Sequence, residues 1–236
     1  MRIRFAFVVL ILALTRAGGL RSEAGQANPS TAKPGTLQWQ AEQAKANGKN
    51  SIESWTSPGP MDQGHLDEAR PFYTVVKAIP VSSTVQPEPN TILTWYKFKL
   101  ASVVSKATKC ETCAAAPNIP PNLLPVSSNE IAVFVEGGTA TVDGVAITVR
   151  ATTSHFEMNR PYLLFLGSMK GSKQVAVLGV YPPWAFRIDE QGKLYSTTTS
   201  KRTSPLFDDV MSLGNVDLVE KHIRAAKPTA GLRNEL

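Results

Sequence analysis

The chain has 236 residues, 25 of them basic and 19 acidic, but four of its arginines fall within the first 21 positions. Without residues 1–24 the balance is 21 to 18, a net of +3, too weak a field to steer a polyanion. The remaining lysines form short clusters (170–173, 201–202) rather than a stripe interleaved with aromatics, which excludes a nucleic-acid surface.

Arg2 and Arg4 precede an apolar run over 5–14, and small and polar residues follow. A basic head, a short apolar middle and a small-residue exit predict a secretory signal peptide over 1–24, cut after Ala17 or Ala24. Arg16 ends the run after about ten residues, half of what a spanning helix needs, so no transmembrane segment is expected after cleavage. The expected location is secreted or periplasmic.

Residues 25–70 are rich in Gln, Ala, Ser, Pro and Gly and are expected to be a disordered or weakly helical linker. Leu37, Ala41 and Ala44 share a helical face, but a helix so short needs something to dock on. Trp39 and Trp55 are the only large anchors here, either tacked onto the following domain or exposed.

A β-rich domain is predicted over 71–198. Residues 72–85 are rich in β-branched side chains. Residues 91–107 alternate, with Ile92, Thr94, Tyr96, Phe98 and Leu100 on one face and Leu93, Trp95, Lys97 and Lys99 on the other. A Cys/Pro-rich loop over 108–128 leads to a strand at 130–136, and Gly137-Gly138 marks a bulge or sharp bend. Strands at 139–142 and 145–149 flank Asp143-Gly144, a hairpin signal. Residues 162–166 are continuously apolar and suit a strand buried on both faces. A polar turn at 170–173 leads to a strand at 174–180, and strands at 185–188 and 194–198 flank a turn over 189–193. About eight short strands predict an all-β fold, a small closed or partly open antiparallel barrel. The tail, 199–236, carries a short C-terminal helix over about 216–226, capped by Asn215, with Leu218, Val219, His222 and Ile223 as its apolar stripe.

Cys110 and Cys113 are the only cysteines. Ala114 stands where a c-type haem requires His. A structural zinc site needs about four ligands and there is no second Cys pair. His155-Phe156-Glu157 follows the cysteines instead of preceding them, so the zinc-deaminase order fails. The proline-rich stretch after Cys113 does not suit the helix that opens a thioredoxin-like pair. A local disulfide formed in an oxidising compartment remains. No metal or cofactor is expected.

Other candidates have simple alternatives. His155 and Glu157 fall on one strand face, either as an acid–base pair or one arm of a metal site, or as wet-face residues around a core Phe156. Asp189 and Glu190 lie in a predicted turn, where Asp favours the bend. Trp95 and Trp184 suit a carbohydrate-stacking surface or core packing. No Gly-x-Ser-x-Gly occurs; Ser168 is one position off.

The β region resembles a family of uncharacterised secreted bacterial β-barrel proteins. The likeness rests on Glu136-Gly137-Gly138, Asp143-Gly144-Val145, Phe156 and the runs 162–166 and 186–192, and it spans about 72–226. That family is similar in outline to the netrin/metalloproteinase-inhibitor type of oligonucleotide/oligosaccharide-binding barrel. Inhibitors of that type use an N-terminal cysteine on a target zinc; this chain has none before Cys110, so that mechanism does not carry over. Ser105-Lys106-Ala107 also stands where the bacterial pattern has Lys-Gly. The resemblance implies a barrel and no particular activity. The function expected is a non-enzymatic binding or accessory module with an unknown envelope or extracellular partner. The alternatives are an envelope redox or hydrolytic enzyme using Cys110/Cys113 or His155/Glu157, and a structural envelope component.

Overall fold

The computed structural model describes residues 32–55, 64–108, 118–125, 127–150, 156–168, 177–179, 185–198 and 204–225. The fold is mostly β, in two sheets with helices at the C-terminal end. In the first sheet β1 (Ser51–Trp55) runs parallel to β6 (Val145–Arg150), which pairs antiparallel with β5 (Gly138–Val142). The second sheet contains β2 (Tyr73–Pro87), β3 (Ile92–Ser105), β4 (Glu130–Glu136), β7 (Tyr162–Ser168), β8 (Val177–Gly179), β9 (Ala185–Ile188) and β10 (Leu194–Ser196), in the order β10-β9-β7-β2-β3-β4-β8. β7 pairs with β2 along one edge. Along the other it pairs with β9 at residues 162–164 and with β8 at 167–168, and β8 itself runs parallel to β4.

The alternation read in the sequence sorts the core. Tyr96 and Phe98 of β3 join Val76, Ala78, Val133, Tyr162, Leu164 and Leu166 in one cluster. Phe156 lies edge-on to Tyr96, Phe98 and Tyr162, with ring centroids 4.9–5.1 Å away. On the opposite face, Leu163 and Phe165 join Val75, Val104 and Phe186. Residues 162–166 of β7 are thus buried on both faces. Leu93, Trp95 and Phe134 form a third cluster, covered by Leu123 of the 118–125 segment.

Gly137 and Gly138 carry the chain from one sheet to the other. Both have positive φ, 117° and 138°, open to glycine and rarely to others. Thr94 Oγ1 donates to the Gly137 carbonyl at 2.6 Å, closing the bend from below. The sharp bend read at these glycines is present, and beyond it β5 and β6 pair with β1 in a sheet of their own. The Asp143-Gly144 hairpin forms as read, with φ of 47° and 77°, the sign pattern of a type I′ turn.

Within 25–70, read as a disordered or weakly helical linker, the described residues form two α-helices and a strand. α1 (Leu37–Ala46) is capped by Thr36 and buries Leu37, Ala41 and Ala44 against Ile92, Val145, Ile147 and Val149. The sheet supplies the docking surface that ten residues of weak helix lack alone. A short α2 (Leu66–Ala69) follows.

The tail holds two helices. α3 (Pro205–Leu213) was not foreseen, although its ends are marked: Ser204 accepts from Phe207 N, Pro205 opens the helix and Gly214, at φ 64°, closes it. α4 (Val216–Ala225) lies where the pattern put it, and Asn215 Oδ1 accepts from Asp217 N at 2.9 Å. Its buried stripe is Val216, Val219 and Ile223, whereas Leu218 is 50% exposed and the His222 side chain 42% exposed. Val219 and Ile223 are buried as expected, and Val216, three residues before Val219, completes the stripe in place of Leu218 and His222.

Candidate functional site

The residues singled out in the sequence do not converge. Cys110, Cys113, His155 and Trp184 lie outside the described residues. The Glu157 side chain is exposed and 3.9 Å from Arg160, while its backbone N–H donates to the Tyr162 hydroxyl at 2.9 Å. Glu157 thus helps seat Phe156, and its carboxylate faces water. Trp95 is fully buried against Phe134, 5.1 Å between centroids, so core packing is its role and it offers no stacking surface. Its indole N–H finds no acceptor among the described residues.

Asp189 shapes its turn, as read. Its Oδ1 accepts from Gln191 N and Lys193 N, and its Oδ2 accepts from the Tyr195 hydroxyl. Desolvation pushes its carboxyl up, but the hydrogen bonds from Lys193 N, Tyr195 and Gln191 outweigh it and hold the pKa below the usual carboxylate range. The bond to Asp189 in turn raises the Tyr195 phenol.

Two histidines tie the terminal helices to α2. His65 Nδ1 lies 3.1 Å from Asp209 of α3, and His222 Nε2 lies 3.0 Å from Asp67. Beneath α4, Lys77 Nζ is 2.6 Å from Glu220 Oε1 in a largely buried pair. Each pair joins one element to another. Among the described residues no group of three or more His, Cys, Asp or Glu is placed to hold a metal.

One surface is different. α1 covers one face of the β1–β6–β5 sheet, and the alternate side chains point to water. In register across that outer face, Glu53 aligns with Thr148 and Thr139, and Trp55 aligns with Arg150. Arg150 Nε donates to Glu53 Oε1. The Arg150 guanidinium lies over the Trp55 ring, 5.6 Å from its centroid. Thr139 and Thr148 hydroxyls meet at 2.9 Å. Trp55 is still 69% exposed. The sequence marked Trp55 as an anchor, but its alignment with Arg150, nearly a hundred residues away, appears only when β1 pairs parallel to β6. Chemically, the face offers one flat aromatic ring, a guanidinium–carboxylate pair and two hydroxyls on a sheet braced from behind.

No protein-family model matches this chain, and no curated protein is similar to it in sequence.

Proposed function

We propose that the protein is an exported, non-enzymatic binding or accessory module working at the cell envelope or outside it. The observation that carries this reading is Trp55, 69% exposed on a braced sheet face beside Glu53 and Arg150. Exposing an indole forgoes its burial energy, and exposed aromatics beside an arginine are enriched where proteins bind other molecules.

Export rests on the basic and apolar pattern of residues 1–24. Among the described residues, no helix is long and apolar enough to cross a membrane. In the same reading Cys110 and Cys113 close a local disulfide. The β-domain is read as a small, partly open barrel, supported by the pairings that run from β2 through β3, β4, β8 and β7 back to β2. The link through β8 is only a few residues long, and a five-strand ring of this kind suits the barrel type that the sequence resembles.

The enzyme reading rests on His155/Glu157 or the two cysteines. Against the first, Glu157 faces solvent with Arg160 as its neighbour. The deciding experiment is a pull-down of the exported protein from envelope extract, run beside assays for thiol exchange and ester hydrolysis. Specific retention of an envelope component, lost in Trp55→Ala, supports the binder. Turnover that disappears on replacing Cys110 and Cys113, or His155, overturns it.

A further inference from the structure

We propose that the open face of the β1–β6–β5 sheet is a saccharide subsite, with Trp55 as the stacking platform and Glu53, Arg150, Thr148 and Thr139 as its polar partners. The inference rests on the binding-module reading above and names the ligand class for that site. A pyranose ring presents a patch of C–H groups on its face and hydroxyls around its rim. It therefore needs one flat apolar ring and several fixed donors and acceptors beside it. The face supplies these in register. The Arg150 guanidinium and the Glu53 carboxylate hold one another, so donor and acceptor are already oriented. The Thr139 and Thr148 hydroxyls, 2.9 Å apart, continue that polar row across the sheet. With strands about 4.8 Å apart and same-face residues about 6.8 Å apart, the face is roughly 10 by 14 Å, the footprint of one or two sugar rings.

The charge and composition of the face argue against other occupants. Glu53 and Arg150 cancel, so a polyanion gains no attraction. Trp55 is the one large apolar side chain on a face otherwise made of Ser51, Ala146 and threonines, which gives a protein partner no apolar centre to bury. A second copy laid antiparallel along β1, centred on that strand, puts Glu53 opposite Glu53, a repelling pair. A neutral saccharide meets none of these obstacles. The face is also rigid, because Leu37, Ala41 and Ala44 of α1 pack behind it, so little ordering entropy opposes binding.

The test titrates the full chain with soluble hexasaccharides of glucose, N-acetylglucosamine and galactose, followed by calorimetry and tryptophan emission. Trp55→Ala, Trp55→Phe and Lys97→Ala are run alongside, and circular dichroism checks each fold. Saturable binding of at least one hexasaccharide is expected, weakened about tenfold or more in Trp55→Ala, largely kept in Trp55→Phe and unchanged in Lys97→Ala. Saccharide binding that is indifferent to Trp55 overturns the proposed site. No saccharide binding, with an envelope protein retained by the wild type and lost in Trp55→Ala, overturns the ligand class and leaves the binding module standing. No saccharide binding and no Trp55-dependent retention overturns both.

Discussion

Asp209, in the middle of α3, accepts a hydrogen bond at 2.8 Å from the backbone N–H of Leu66, 143 residues earlier in the chain. The same carboxylate takes His65 Nδ1 at 3.1 Å. A helix as short as α2 leaves its first N–H groups without partners of its own, and here a distant element supplies one. Asp209→Ala is expected to cost about 1–2 kcal/mol, the usual loss for a missing cap. Asp209→Asn keeps an acceptor and should cost much less. Urea unfolding of the two variants checks this, and equal midpoints for Ala and wild type would refute it.

Leu164 is fully buried, paired with Val76 on one side and Ala185 on the other. Leu164→Asp places a carboxylate where nothing can hydrogen-bond it, on the order of 5 kcal/mol or more against a typical domain stability of about 5–15 kcal/mol. Lys97→Asp, on the wetter face of β3, should shift stability by less than about 1 kcal/mol. Thermal melts followed by circular dichroism separate the two, and a wild-type melt for Leu164→Asp would remove β7 from the core.

A methyl group at Gly138 would come within 2.8 Å of Thr94 Oγ1 and 3.2 Å of Ile92 Cγ2, at a φ of 138° that side chains rarely adopt. Gly138→Ala should therefore lose about 2–4 kcal/mol from steric and backbone strain together. Thr94→Val removes only the hydrogen bond to Gly137, and about 1–2 kcal/mol is expected. If calorimetry finds Gly138→Ala no worse than Thr94→Val, the bend is less constrained than its geometry requires.

Burial pushes the Tyr96 phenol up to about 12 and raises Tyr162 as well. A folded phenol above its ordinary value of 10 stays protonated where the unfolded one has ionised. Its stabilising contribution is thus complete below pH 10 and declines as the pH climbs from 10 towards 12. Absorbance titration at alkaline pH should show a late phase from these tyrosines that coincides with loss of ellipticity. A single early phase, with the fold intact, would contradict their burial.

Much of the β-domain was legible because it alternates. The run 162–166 and the faces of residues 91–100 are set by side-chain chemistry with period two, which local reading captures. The Asp143-Gly144 and 189–193 turns were legible for the same local reason. What escaped depends on distance. Leu37, Ala41 and Ala44 make a stripe too weak to call without the sheet they dock on. Which edge of the α4 stripe is buried, Val216 or Leu218 and His222, depends on where the sheet lies. The face around Trp55 exists only through a pairing between β1 and β6 that no window of sequence spans. Asp209 likewise carries no mark of its role, since its partner is a backbone N–H.

The parallel pairing of β1 with β6 also fixes an order of events. β5 and β6 are joined by a two-residue turn and can pair as soon as both exist, whereas β1 must close a loop of nearly a hundred residues to reach Arg150. Loop closure over that span is entropically slow, so β1 is the strand that arrives last. Whichever end folds first, residues 51–55 have no partner strand until 145–150 are in place. Until then the edge of β6 that receives β1 is unpaired. Pulsed hydrogen exchange during refolding should find the β5–β6 amides protected before those of β1. The face that carries Trp55 is then completed only when β1 pairs with β6.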